Sequence, residues 1–232
     1  EAITTCDEIY GEVEKSDLTG PEAQAAIMQK VMAPADSTLS KVLKPKTIAA
    51  LDSILKAGTG GAVSINQLDM LIPTFVSTQI LLLVKIELFP ENATDEGIDI
   101  AVQKRGAELN KPTNGFETLE FQMNLIYGKP IAEQAESLDK MMEKFDKNKE
   151  SIAKLYNAYT EKDLKKLHEI TMQEIEEDDS TPEEKEQSMR EMFTDRNKNW
   201  VNKLKTLMPE KSIFTVVGAG HLPGTEGLID LL

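Results

Sequence analysis

Cysteine and histidine are nearly missing from this chain: its 232 residues include one cysteine, Cys6, and two histidines, His168 and His221. A lone cysteine excludes an intrachain disulfide and any cysteine-rich metal site. No histidine lies near it in sequence to activate it as a nucleophile, so Cys6 is expected to be a small core residue. Its presence leaves the compartment open. Aromatic residues make up only 5% of the chain, too few for a platform that stacks bases or sugars. Basic residues are also scarce, 26 against 40 acidic ones, which gives a net charge of −14 and a pI near 4.7. That balance argues against nucleic acid, whose phosphates need a basic face, and against docking on anionic lipid. No apolar run reaches the roughly 18 residues of a membrane helix. The nearest, Leu71 to Val84, is interrupted by Pro73, Thr74, Ser77, Thr78 and Gln79 and closed by Lys85. No transmembrane segment is expected, and this stretch reads as a buried helix.

The residues that are present suit one domain with a full core, since 40% are hydrophobic. Residues 8–14 read as a strand, and so does Pro112 to Glu117. Pro21 to Met32 reads as a helix with proline in its first turn. Pro45 to Lys56 is another, with Ile48, Leu51, Ile54 and Leu55 on one face and Gly58 as its stop. Residues 66–88 are helical by length and periodicity, and helix 97–109 is expected to turn Ile98, Ala101, Val102 and Leu109 inward. From Pro130 to Met208 the pattern is nearly all helix, with core stripes at Leu138, Met141, Met142 and Phe145 and at Ile152, Leu155, Tyr156 and Tyr159. Thr181-Pro-Glu-Glu184 carries a cap, a first-turn proline and a capping-box glutamate. The helix it opens is expected to run through Arg196, Asn197 and Trp200 to Leu207. The fold class is therefore α/β by type and mostly helical by count. A small central mixed sheet is flanked by helices and carries a large helical insertion. Residues 20–110 and 119–208 are its predominantly helical parts.

The most informative segment is the last. A β-branched run from Ile213 to Val217 meets Gly218-Ala-Gly220, which delivers His221, and Leu-Pro-Gly and a second apolar run follow. This is the pattern of a strand, a tight loop and a helix, with a side chain at the carboxyl end of the strand, where open α/β sheets gather ligands. Gly218 and Gly220 can adopt positive φ and let a ligand approach the main chain. His221 reads either as a general base or metal ligand or as the cap of a turn. As a loop-tip side chain it is expected to contribute little to the core. His168, mid-helix among charged residues, reads as a surface residue.

The segment VVGAGHLPGTEGLIDLL resembles the C-terminal signature of the TraB/GumN family, whose relatives include the Tiki proteases. Three more stretches match in order. Asp7-Glu-Ile-Tyr-Gly-Glu12-Val-Glu14 resembles the family's second strand. Gly97-Ile-Asp99 with Asn110-Lys-Pro-Thr-Asn-Gly115-Phe-Glu117-Thr118 resembles its "G-x-D … g-L-E-T" segment, and Arg196-Asn197-x-x-Trp200 its "R-N-x-x-W" element. The match covers nearly the whole chain as one TraB/GumN-like domain, residues 1–232. The family pattern has two Gly-x-x-His elements and only the second is present. A chain truncated at both ends is the expectation from that comparison.

The resemblance implies a metal-dependent hydrolase of peptide-like or ester substrates. Catalytic candidates are His221, Glu12, Glu117 and Arg196, and substrate contacts are expected from Gly218, Gly220 and Asn197. His221 and Glu12 are the candidate ligands of a divalent ion, Mn²⁺, Co²⁺ or Zn²⁺. Arg196 is expected to neutralise an oxyanion or clamp a substrate carboxylate. Glu12 reads equally as a plain ion-pair partner of Arg196, and Glu14, two residues on along the strand, as the alternative acid. Trp200 reads as a packing anchor. Glu226 is expected on the first turn of the last helix, stabilising its dipole. The alternatives are a non-catalytic protein that binds haem or another small ligand, or a regulator of peptide signalling. The resemblance also implies a bacterial, extracytoplasmic location, periplasmic or surface-anchored.

Overall fold

The computed structural model describes residues 1–14, 20–92 and 97–232. The chain forms two compact units. One comprises residues 1–20, 96–121 and 154–232 and holds the sheet; the other comprises residues 21–95 and 122–153 and is helical.

In the sheet-bearing unit, strand β1 (Glu8–Gly11) lies at the centre of the order β2-β1-β3, with β2 spanning Thr113–Gly115 and β3 spanning Ile213–Val216. Ile9 is opposite Thr113 on one side and Phe214 on the other. Both pairings are parallel, so the sheet expected to be mixed is parallel among the described residues. Buried on both faces, such strands read as continuous apolar runs, and Ile9 and Tyr10 are indeed both buried. The strands are shorter than the sequence suggests. Past Gly11 the ladder persists only as single bonds, from Phe116 N–H to Gly11 O and from Glu117 N–H to Glu12 O, both 2.9 Å. The chain bends there, and Glu12 and Glu117 leave the sheet side by side.

Helix Ile98–Glu108 packs on β1 through an unexpected face. Ile98 is 59% exposed, whereas Gln103 and Gly106 are buried. Gly106 permits the close approach: a Cβ there would lie 2.4 Å from Cδ1 of Ile9. Gln103 Nε2 donates to the Val13 carbonyl at 3.1 Å, satisfying a strand-end acceptor that would otherwise be buried unpaired. The inward apolar stripe expected on this helix is replaced by a glycine contact and one polar anchor.

In the helical unit, helix Pro45–Gly58 buries Leu51 and Leu55 against Leu39, Ile65, Val76, Ile80 and Leu138. The spacing of Leu51 and Leu55 is one helical turn, which keeps them on one face. Thr47 Oγ1 donates to Asp139 Oδ1 at 2.5 Å, so the buried carboxylate is partnered. The stretch expected as one helix over residues 66–88 is two elements, a 3₁₀ turn at Ile65–Leu68 and a helix at Pro73–Leu88. The break falls at Ile72, held extended at φ −68° and ψ 150°, because Pro73 disfavours helical backbone in the residue before it. No helix of the described residues is long and apolar enough to cross a membrane.

Candidate functional site

Four separate segments converge at the carboxyl ends of the parallel strands. Glu12 follows β1 and Glu117 follows β2. His221 closes a 3₁₀ turn after β3, and Arg196 and Asn197 open helix Asp195–Leu207. That helix is the end of the run expected from Thr181, which stays helical throughout but is not uniformly α. Its predecessor, Pro182–Met189, begins with the expected capping box, and a π-helical turn over Arg190–Thr194 separates the two. Such turns cluster at functional sites because the extra residue frees a carbonyl from the α ladder. Here the Met192 carbonyl accepts from Arg196 Nη1 at 2.9 Å.

Arg196 is the hub, buried at 5% exposure. Its Nε donates to Glu117 Oε1 at 2.7 Å, and Nη2 donates to Glu117 Oε2 at 2.9 Å and Glu12 Oε2 at 2.7 Å. Nη1 serves Met192 O and, at 3.1 Å, His221 Nε2. A guanidinium has five N–H donors, and these contacts engage all of them. No donor is left to stabilise an oxyanion or clamp a substrate carboxylate in this arrangement. The role it performs here is to position the two glutamates and the imidazole.

Asn197 sets the state of that imidazole. Its Nδ2 donates to the carbonyls of Glu226 at 2.7 Å and His221 at 3.3 Å, which leaves Oδ1 as an acceptor. Oδ1 lies 2.6 Å from His221 Nδ1, so Nδ1 carries the proton and Nε2 presents its lone pair to Arg196. Burial pushes the His221 pKa down, the Glu12 charge opposes this and the Arg196 charge adds to it, leaving a value of about 4. The imidazole is neutral at neutral pH. It is also enclosed, 4% exposed, with the Trp200 ring at 4.5 Å and the Phe193 ring at 5.1 Å. His221 is thus a core side chain, contrary to the loop-tip expectation, because the 3₁₀ turn folds it back under Trp200.

Glu12 is the accessible acid, its side chain 25% exposed against 8% for Glu117. Burial raises its pKa, but the Gly218 N–H at 2.8 Å and the charge and hydrogen bond of Arg196 outweigh that and hold the carboxyl below the ordinary range. It is Glu12, rather than Glu14, whose carboxylate reaches Arg196. Glu117 is tied down by Arg196 and by Trp200 Nε1, which donates to Oε1 at 3.1 Å. Trp200 anchors the helix as expected, stacking on Phe116 at 5.3 Å, and also holds a site carboxylate.

The glycines act differently from the expectation. Gly218 has φ −53°, and positive φ in this loop belongs to Gly224 at +91°. A Cβ at Gly218 would lie 3.2 Å from Glu12 Oε1, and one at Gly220 would lie 3.0 Å from the Phe193 ring. Both permit close approach, but of side chains within the protein. Asn197, expected to touch substrate, is 2% exposed and spent on His221 and Glu226. Glu226 precedes the last helix, Leu228–Leu231, and pairs with Lys198 at 2.8 Å. His168 is half-buried, and a Cβ at Gly224 would meet its ring at 2.7 Å, so it packs on the Pro223-Gly224 turn instead of facing solvent.

The expected metal pair, His221 and Glu12, does not fit a divalent ion as placed. Nε2 and Oε1 are 4.0 Å apart, but the lone pair of Nε2 faces the Arg196 cation, which also donates to both glutamates. A second positive charge there meets a donor set already paired. Among the described residues, no group of three or more His, Cys, Asp or Glu side chains is arranged to hold an ion.

Phe193 is the residue that sequence reasoning missed. Its signal was present: positions 193, 196, 197 and 200 follow the i, i+3, i+4, i+7 spacing of one helical face. Comparison with curated proteins returned no match, and comparison with solved structures returned none either. The model of the TraB/PrgY/gumN family matches residues 1–232, the whole chain. The ordered signatures and the converging site residues sit within that match, and the chain belongs to the TraB/PrgY/gumN family.

Proposed function

We propose that the chain is a hydrolase of peptide-like or ester substrates, with Glu12 as the group that orients and deprotonates the attacking water. The observation that supports this most is the convergence of Glu12, Glu117, Arg196 and His221 at the carboxyl ends of parallel strands, with Glu12 the member open to solvent. Arg196 and Glu117 position it, and the neutral His221 completes the frame. The divalent ion implied by the family resemblance, Mn²⁺, Co²⁺ or Zn²⁺, would need His221 Nε2 released from Arg196, so no step is routed through it. An extracytoplasmic location, periplasmic or surface-anchored, belongs to the same proposal and rests on the resemblance alone.

A second reading is favoured by the saturation of Arg196: a fully paired cluster is what a non-catalytic binding protein or a regulator of peptide signalling would carry. Incubation with a mixed peptide library, followed by mass spectrometry, separates them. Cleavage that persists with chelator and is lost in Glu12→Gln supports the hydrolase as drawn. Cleavage only with added Mn²⁺, Co²⁺ or Zn²⁺ replaces it with the metal-dependent form. No cleavage under either condition sinks both and favours the second reading.

A further inference from the structure

A cavity of about 180 Å³ lies beside the polar cluster. Helix Leu164–Glu177, the π-helical turn and the Gly220–Gly227 loop form its walls. Leu167, Met172, Met189, Phe193 and Pro223 supply the apolar surface. Leu167 is buried and Met172 is 38% exposed, so this lining runs from the core to solvent. Two walls belong to the candidate site as well: Asn197, bonded to His221, and Gly220, one residue before it. Phe193 touches both, as a cavity wall and as the ring 5.1 Å from the imidazole.

Size and chemistry narrow the occupant. An apolar cavity of about 150 Å³ holds one benzene-sized group. Pockets for drug-sized ligands run from roughly 300 to 1,000 Å³. The cavity therefore suits one side chain and is too small for a haem. Its methionines are unbranched and adaptable, so they accept several apolar shapes, while His168, Thr171 and Glu226 make another part of the wall polar.

We propose that this cavity is the subsite for a single apolar side chain of a peptide substrate, of leucine, methionine or phenylalanine type, seated next to the bond presented to Glu12. The substrate role rests on the hydrolase reading; the binding itself does not. The test is methyl NMR of the whole chain carrying ¹³C-methyl methionine. N-acetyl-leucine amide is titrated in, with N-acetyl-aspartate amide as the charged control.

Saturable shifts of the Met172 and Met189 methyls with the leucine amide alone are expected. Thr171→Trp fills the cavity from helix Leu164–Glu177 and abolishes them. Met172→Glu, at a position exposed enough to preserve the fold, weakens binding about tenfold. No saturable shift in the unmutated chain overturns the proposal, as does binding that neither variant changes. Binding without peptide cleavage keeps the subsite and removes the hydrolase. Cleavage indifferent to apolar residues, with no amide bound, does the reverse.

Discussion

Asn197 Oδ1 stands 2.6 Å from His221 Nδ1 and thereby decides which face of the imidazole carries a proton. The choice propagates: Nε2 becomes an acceptor, Arg196 donates to it, and the remaining guanidinium donors are aimed at Glu12 and Glu117. One amide orientation thus fixes the charge pattern of the cluster.

His221→Ala is expected to destabilise the chain by roughly 2–4 kcal/mol, because it removes a buried, doubly bonded side chain from between Trp200 and Phe193. Urea unfolding measures it. A loss below about 0.5 kcal/mol, the usual size of a surface change, would return His221 to the loop-tip role.

Arg196→Lys is not conservative here. A lysine offers three donors on one nitrogen and cannot reach the five acceptors of the fork. Glu117, with its side chain 8% exposed, loses its main partner, and a cost of about 3–5 kcal/mol is expected by the same unfolding experiment. A lysine variant as stable as the parent contradicts the hub role.

Glu12→Gln should cost about 1–2 kcal/mol without unfolding the chain, since one amide oxygen must now serve both the Gly218 N–H and Arg196 Nη2, while the side chain is partly solvated. On the hydrolase proposal, peptide hydrolysis should fall by about 100-fold or more, the usual contribution of a general base. Equal rates in the two proteins remove Glu12 from the chemistry.

Acid should unfold the chain through His221. An unfolded histidine titrates near 6.5, whereas burial chiefly holds this one near 4. Protons therefore bind the unfolded chain first. The contribution is whole above pH 6.5 and lost as pH falls towards 4, up to roughly 3 kcal/mol. Glu12, held below its ordinary value, adds a loss of the same sign at the acid end. Urea midpoints across this window should fall with pH, and His221→Gln should flatten the upper part of the slope.

Gly115→Ala tests the register that delivers Glu117. A Cβ there would lie 2.8 Å from the Glu117 carbonyl oxygen and 2.8 Å from the Glu14 nitrogen, both backbone atoms that cannot swing aside. Destabilisation of about 1–3 kcal/mol is expected in urea unfolding. Unchanged unfolding means the ladder end can relax.

Much of this was legible in the chain because the residues concerned advertise their roles locally. Pro45 and the Thr181 capping box mark helix starts, and the run Ile213–Val217 announces the third strand. The convergence of the candidates was legible: Glu12, Glu117, Arg196 and His221 do meet. Their roles were not legible, because saturation of a guanidinium depends on distances among four distant segments. The face of helix Ile98–Glu108 was misread because its buried positions are Gln103 and Gly106, which carry no apolar period. The π-helical turn leaves no compositional mark, yet it sets the pitch at which Phe193 and Arg196 meet the imidazole.

The placement of β1 between two parallel neighbours has a consequence during synthesis. Its partner on one side lies about a hundred residues downstream, and the Asp7–Ser212 bonds that align it with the other span 205 positions. At roughly 5–20 residues per second a ribosome needs about 10–40 s to deliver that last strand. Until then Ile9 and Tyr10 sit on an open ladder, the state in which strands find wrong partners. Appearance of the Arg196–His221 contact would therefore mark the moment β1 has ceased to be an edge.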